Sequence, residues 1–355
     1  MRKSLLTTLI ATTLTFTALP ADADIVLGGF QFGQPLGHPL RVFDADAQGA
    51  DLPIREISGA ATQLDTPATG SYAAGEEVIY VSDYYGRAIR VYPAFAHGNV
   101  APLRVLNPPL LGQPRRSVPL PQFGELAVIA SNCCIYTWPL QASGDQAAPL
   151  RGISYGGNSG SPTELRNPTS LIHIPSSDEL AVVDYSDGPS YDGRIIFHAR
   201  TATGYVAPTR MITGSAVRDP RGLAHDPVGH RLFVLTIERE SSGMTIKHGR
   251  ILVFAEDASG DAQPLHVIEG AATHLDLPVG YYNSNLGFDP WLRRIVVTAG
   301  TDNDPANNRL LTFAADASGN VAPVQELVGS NVSPYTVGEP FAVPPDRLFA
   351  NGFDP

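Results

Sequence analysis

The sequence predicts an all-β fold built from repeats, and three observations support this prediction. Charged residues make up only 17% of the 355 positions, whereas the chain contains 34 Gly and 31 Pro residues, so we expect frequent turns. The apolar stretches are short, rich in β-branched residues and bounded by Gly, Pro, Asn or Asp, which is typical of strands. A strand, a tight turn and a returning strand also recur along the chain.

The recurring unit occurs six times with the same turn. The copies begin at Arg41, Arg90, Ile135, Ile195, Leu252 and Leu311, and the fifth reads "LVFAEDASGDAQPLHVIEG". Each turn has a glycine with a proline four residues later, or five in the third copy. The glycines are Gly49, Gly98, Gly144, Gly204, Gly260 and Gly319. Six matches with a single shift indicate a repeat architecture.

Two more strand-like runs precede most copies, such as "EVIYVSD" ending at Asp83, which gives four strands per unit. Successive turn glycines are 46 to 60 residues apart, the size of one blade of a ring that hides its sheet edges. We therefore predict a six-bladed β-propeller of four-stranded antiparallel blades over residues 24–345. The N-terminal hairpin is expected to close the ring by completing the last blade, whose first two strands would come from "SPYTVGEPFAVPPDRLF" after Val332. Seven blades would result if "IVLGGFQFG" from Ile25 formed inner strands of its own.

The segment "DPRGLAHDPVGHRLFVLTI…GRILVFAEDASGDAQPLHVI" resembles the repeat of NHL-type and related six-bladed β-propellers, and the likeness covers about residues 41–345. The resemblance implies the fold. It identifies a fold better than a function, because one fold hosts many functions.

The N-terminus reads as a secretory signal peptide over residues 1–23. Arg2 and Lys3 precede an uncharged apolar run, and small residues surround the predicted cut after Ala23. The run is too short for a membrane helix, so we expect no membrane span and a secreted or periplasmic protein. Residues 346–355 are interpreted as a C-terminal tail.

The net charge argues against nucleic acid as a partner. Removing residues 1–23 leaves 22 basic and 34 acidic residues, a net charge near −12, which repels phosphate backbones. We expect a monomer whose ligand is a protein, a peptide or a small molecule of unknown identity.

The only two cysteines, Cys133 and Cys134, are adjacent. They fall at the tip of a short turn between the second and third strands of one blade. Export favours their oxidation to a vicinal disulfide, although adjacent α-carbons about 3.8 Å apart are closer than in most disulfides. Such a bond would stiffen the turn. Buried thiols, a redox pair and a ligand clamp are the alternatives, and the segment lacks the positive charge that redox cysteines need.

Second-to-third-strand turns and blade-to-blade loops share one face in propellers, where ligands usually bind. At that face the sequence places five ligand candidates, each of which could equally be a solvated rim residue. They are Asp83, Asp184, Arg221, Glu238 and Asp302.

His173 and His225 lie in predicted first strands near the channel, where hydrogen-bonded structural histidines are the commoner outcome. The nine histidines form no spacing that predicts a zinc site. No cofactor is predicted, and a calcium or other divalent ion in the central channel stays open.

These features favour a non-catalytic binding or scaffold module. The alternative is a metal-assisted hydrolase or lyase, because gluconolactonase-like six-bladed hydrolases hold a divalent cation with acidic or Asn residues ahead of inner-strand glycines. Thr69, Arg221 and Val279 occupy the matching positions here. An enzyme of this type would therefore need an atypical site, and the catalytic and metal-binding residues remain unassigned.

Overall fold

The computed structural model describes residues 23–30, 37–130, 133–154, 161–185, 193–239, 246–275, 285–300, 304–333 and 336–345. These residues contain six four-stranded antiparallel sheets, which confirms the predicted six-bladed β-propeller. Residues 1–22 of the predicted signal peptide and the predicted tail 346–355 lie outside the described residues. In the described ranges, no helix has the length and apolar character needed to cross a membrane.

Blades 1 to 5 follow one another along the chain, and each begins with its innermost strand. Their strands are β5 (Pro67–Ala73), β6 (Val78–Asp83), β7 (Ala88–Pro93) and β8 (Arg104–Leu106); β9 (Ser117–Leu120), β10 (Glu125–Ala130), β11 (Cys134–Pro139) and β12 (Arg151–Ile153); β13 (Pro168–Ile174), β14 (Glu179–Tyr185), β15 (Gly193–Ala199) and β16 (Arg210–Ile212); β17 (Pro220–Asp226), β18 (Arg231–Arg239), β19 (Ile246–Ala255) and β20 (His266–Ile268); β21 (Asn285–Asp289), β22 (Arg294–Ala299), β23 (Arg309–Ala314) and β24 (Gln325–Val328). Short 3-10 turns lie at Ala60–Thr62, Pro109–Leu111, Pro121–Phe123, Ala271–Thr273 and Pro305–Asn307.

Blade 6 joins the two ends of the chain. It consists of β26 (Phe341–Val343), β1 (Asp24–Leu27), β3 (Leu40–Phe43) and β4 (Arg55–Ile57), from the axis outwards. A short ladder of β2 (Gly29–Phe30) with β25 (Thr336–Val337) lies beside it. The N-terminus thus supplies three strands instead of the expected two, and the C-terminus supplies one.

The prolines at the C-terminal end explain this division. Pro344 and Pro345 follow β26 directly and have no N–H to donate to a sheet. The run from Ile25 takes the second position instead, opposite β26, with Ile25 paired to Ala342. That run therefore completes the sixth blade and starts no seventh.

The hydrophobic core is divided among the interfaces between blades. Each of the six clusters of buried apolar side chains combines residues of two neighbouring blades, as where Val42 of blade 6 packs with Ile79 of blade 1. Both faces of a sheet are therefore covered. This explains why the second and third strands read as continuous apolar runs rather than as alternating patterns.

The repeated turn glycines connect neighbouring blades. The N–H of each donates to a carbonyl of the outer strand of the preceding blade at 2.6 to 2.7 Å. Each glycine has a φ between +60° and +82°, which side chains with a Cβ rarely adopt. The bridges join Gly49 to Leu327, Gly98 to Ile57, Gly144 to Leu106, Gly204 to Ile153, Gly260 to Ile212 and Gly319 to Ile268. The repeat thus encodes a belt of six bridges, which we call the glycine belt.

Candidate functional site: the loop face

One face of the ring, which we call the loop face, contains the segments that enter each first strand and the turns between second and third strands. Both features lie at the same end of a blade because the strands are antiparallel. Contacts between them support this placement: Asp83 at the end of β6 accepts a hydrogen bond from Thr66 ahead of β5. Four of the predicted ligand candidates, Asp83, Asp184, Arg221 and Glu238, lie on this face.

Asp83 is fully buried and holds the segment that enters blade 1. Its carboxylate accepts the backbone N–H of Thr66 at 2.5 Å and that of Asp65 at 3.1 Å, and it pairs with Arg90 at 2.7 Å. Burial raises the pKa of Asp83, while Arg90 and the two N–H groups oppose this shift. The structure gives Asp83 a local structural role, and its contact with a ligand stays a prediction.

Asp184 repeats this arrangement in blade 3. Its Oδ2 accepts the backbone N–H groups of Arg166 at 2.6 Å and Asn167 at 2.9 Å, and Arg194 Nε lies 3.7 Å from its Oδ1. Burial raises the pKa of Asp184, and the two N–H groups and Arg194 oppose this shift. The segment that each carboxylate binds ends in a proline, Pro67 or Pro168. This repeated contact fixes the entry of the chain into two inner strands.

The other candidates have less uniform surroundings. Arg221 Nη2 lies 2.5 Å from Asp219 Oδ1, and its side chain is 8% exposed. Glu238 is 38% exposed, and its carboxylate lies 3.3 Å from His248 Nε2. Asp302 lies outside the described residues. Each described candidate thus contacts a residue of its own blade, and the ligand role of all five stays a prediction.

A buried polar contact crosses the axis of the ring, and no pattern in the sequence predicts it. Glu339, just ahead of β26, receives a hydrogen bond from the Ser170 hydroxyl at 3.1 Å. The two residues belong to blades 6 and 3, which lie on opposite sides of the ring of six blades. Arg116 of blade 2 pairs with the same carboxylate at 3.1 Å and donates to the Thr69 hydroxyl at 2.8 Å. We call these four residues the axial brace.

The two charged side chains of the axial brace, Glu339 and Arg116, are largely shielded from solvent. Glu339 is 6% exposed, and burial raises its pKa, while Arg116 and Ser170 act in the opposite direction. Arg116 supplies the positive charge next to this carboxylate. Among the described residues, no group of three or more His, Cys, Asp or Glu side chains is arranged to hold a metal ion. A divalent ion in the channel stays a prediction.

The disulfide predicted from the adjacent cysteines is confirmed. Cys133 and Cys134 are bonded, with their α-carbons 3.7 Å apart. Cys134 is the first residue of β11 and pairs with Ala130 of β10, whereas Cys133 donates its N–H to the Ala130 carbonyl at 3.3 Å. Cys134 is buried and Cys133 is half-buried. The bond therefore constrains a second-to-third-strand turn on the loop face.

His173 and His225 occupy first strands but lie at the end away from the loop face, each one residue before its strand ends. His173 Nε2 is 3.0 Å from Asp178, and His225 Nε2 is 2.5 Å from Glu256. Burial lowers the pKa of His225, and the Glu256 carboxylate opposes this shift. Both imidazoles thus have carboxylate partners that position them.

A pocket of about 520 Å³ opens on the loop face beside blade 3. Three arginines line it from three separate elements: the segment ahead of β13, the start of β15 and the loop that leads to β17. They are Arg166, Arg194 and Arg218, and the hydroxyl residues Thr213 and Ser215 complete the lining. Because these residues are far apart in the chain, no sequence pattern predicts the pocket. We call it the arginine pocket.

Comparison with known proteins supports the fold. No protein-family model matches the chain, and no curated protein sequence matches it. Among solved structures, a chain from the crystal structure of a nidogen/laminin complex matches with a TM-score of 0.58 and 14% identity, over 90% of this chain and 98% of that one. This likeness shows the β-propeller fold alone, and membership of the NHL-type family stays a prediction.

Proposed function

We propose that this chain is an exported binding or scaffold module whose loop face recognises a protein or peptide partner. The supporting observation is the pre-organisation of that face. Asp83 and Asp184 hold the entering segments by hydrogen bonds to backbone N–H groups, and a disulfide constrains the turn at Cys133. A face whose conformation is fixed in advance loses little entropy on binding.

Two further observations agree with a binding role. The carboxylates of Asp83 and Asp184 already accept backbone N–H groups and lie beside arginines. Their lone pairs are therefore engaged in the fold, which favours a binding module over a metal-assisted enzyme that would need these oxygens as ligands. The similar solved chain comes from a complex between two proteins, nidogen and laminin. The export part of the proposal rests on the N-terminal sequence, and β1 begins at Asp24, directly after the predicted cut. A mature protein that starts at Asp24 would therefore keep the whole closing blade.

Peptide display tests the proposal. Peptides selected from a random library on the immobilised protein should lose binding when exposed charges of the loop face are reversed, as in Arg87→Glu or Glu238→Arg. Val228 is 69% exposed in the turn between β17 and β18, at the opposite face, and Val228→Asp is the matched control. Peptides that respond to Val228→Asp and not to the loop-face variants would contradict the proposed face.

Metal analysis and turnover assays test the binding role itself. A stoichiometric divalent ion in the purified protein, together with hydrolysis of ester or lactone substrates, would replace this proposal with the metal-assisted enzyme.

A further inference from the structure

Blade 6 differs from the other blades at one end of its sheet. In blades 1 to 5 a turn joins the first strand to the second, as residues 290–293 do between β21 and β22. In blade 6 these two strands are β26 and β1, which come from opposite ends of the chain. The face of the ring opposite the loop face, which we call the turn face, is therefore open at this blade. The chain leaves β26 at this opening through Pro344 and Pro345.

Two aromatic side chains flank the opening. β26 contacts β5 of blade 1 on one side and β21 of blade 5 on the other. Tyr72 is the last but one residue of β5, and Trp291 lies two residues after β21. Their ring centroids are 5.9 Å apart, so the pair spans the end of blade 6. Trp291 is 37% exposed and Tyr72 is half-buried, and an apolar surface thus faces solvent where the chain emerges.

The segment that follows β26 has the composition to cover this surface. Residues 346–355 read "DRLFANGFDP" and include Leu348, Phe349 and Phe353. Phe349 lies four residues beyond Pro345, and an extended chain covers about 13 Å in four residues, which is enough to reach the aromatic pair. Packing these side chains on exposed aromatic rings removes both apolar surfaces from water, which is favourable.

The charges near the opening also match this segment. Glu77 is exposed in the turn between β5 and β6. Burial raises the pKa of Tyr72, and the Glu77 carboxylate adds to this shift, so Glu77 lies near the aromatic pair. Arg347 is the only basic residue among residues 346–355, and a guanidinium can form paired hydrogen bonds with a carboxylate.

We propose that residues 346–355 dock on the turn face, over the opening at blade 6. Phe349 packs against the aromatic pair, and Arg347 pairs with Glu77. The docked segment takes the place that a turn occupies in the other five blades. This inference is independent of the proposed function, which concerns the loop face.

Tryptophan fluorescence tests the inference, because Trp291 is one of only two tryptophans and the other, Trp138, is fully buried. Deleting residues 346–355 should expose Trp291, so its emission should shift to longer wavelengths and acrylamide should quench it more strongly. Phe349→Ser should cause most of this shift. Ala350→Ser, the matched control in the same segment, should cause none.

Charge reversal tests the second contact. Arg347→Glu should cause part of the shift, because it places two carboxylates side by side, and adding Glu77→Arg should reverse that part. Near-ultraviolet circular dichroism verifies that each variant is folded, and the point variants carry the test if the shortened chain does not fold. A Glu77→Arg change that restores nothing would exclude the ion pair.

Three results would overturn the docking itself: emission that ignores the deletion, equal shifts in Phe349→Ser and Ala350→Ser, or a shift that persists after deletion in a Trp291→Phe background. The third result would mean that Trp138 reports a change elsewhere in the fold. Sedimentation across a range of protein concentrations is a further arm. A dimer whose Trp291 emission changes on dilution would place the segment on a second copy of the chain and overturn the intramolecular assignment.

Discussion

Replacing a glycine of the glycine belt by alanine should destabilise the protein through backbone conformation alone. Gly260 has a φ of +67°, and no atom lies within 4 Å of the Cβ that a substitution would add. Its N–H donates to the Met211 carbonyl at 2.7 Å, and its carbonyl accepts from Thr213 at 2.8 Å, so the bridge keeps the residue in this conformation. The left-handed region costs a residue with a Cβ about 1–2 kcal/mol, and the lower entropy of alanine in the unfolded chain offsets about 0.4–1 kcal/mol. Gly260→Ala should therefore lower the free energy of unfolding by about 1 kcal/mol.

Urea unfolding measures this difference, and two variants serve as controls. Gly260→Asn should cost less than Gly260→Ala, because asparagine adopts the left-handed region more readily. Gly75 lies in an exposed turn without a positive φ, and its nearest non-neighbouring atom is 3.8 Å from an added Cβ. Gly75→Ala should therefore be neutral or slightly stabilising. If Gly260→Ala were neutral, or if Asn cost as much as Ala, the conformational explanation of the belt would be wrong.

Three further predictions concern the buried carboxylates and the disulfide. Asp184→Ala leaves two N–H groups without their acceptor and should lower the free energy of unfolding by about 2–4 kcal/mol, whereas Asp184→Asn keeps an acceptor and should cost less; equal losses in urea would exclude this role. Burial raises the pKa of Glu339, so the folded protein binds the proton of this carboxyl more tightly than the unfolded chain does. The free energy of unfolding of the wild type, relative to that of Glu339→Gln, should therefore be highest below pH 4.5. It should fall as the pH rises through the pKa of the folded state. If the difference in free energy of unfolding between the wild type and Glu339→Gln did not change as the pH rose from below 4.5, the burial of the Glu339 carboxyl would be contradicted. The intact non-reduced protein should weigh about 2 Da less than the reduced one because forming the Cys133–Cys134 bond removes two hydrogens, and equal masses would exclude the bond.

The sequence was informative where one physical requirement recurs in every blade. The belt glycines need a positive φ at the same point of six turns, and the six matches therefore led directly to the ring. The disulfide could also be predicted, because Cys133 and Cys134 are neighbours in the chain and need no fold to meet. The sequence predicts that the N-terminal segment closes the ring in blade 6, but not how many strands each end of the chain supplies. That division depends on where Pro344 ends the strand ladder.

The loop face was harder to predict because its contacts join residues far apart in the chain. The sequence predicts Asp83 and Asp184 as ligand candidates because they lie at strand ends. In the structure each is buried against backbone N–H groups that only the folded blade brings near. Glu339 and Ser170 meet across the axis from opposite blades. No spacing rule in a single sequence reports such pairs, and the arginine pocket is a similar case.

The closing blade constrains the order in which the chain can fold. The first strand of the proposed mature protein, β1, finds its inner neighbour only in β26, close to the last residue of the ring. Pairings between such distant positions form slowly, since a long loop must close first. Until the C-terminal end emerges, the early strands keep an exposed edge, and a nascent chain of this design is open to proteases and to pairing with other chains. A circular permutant cut between blades 3 and 4, with the present termini linked, would make this pairing local and should refold faster.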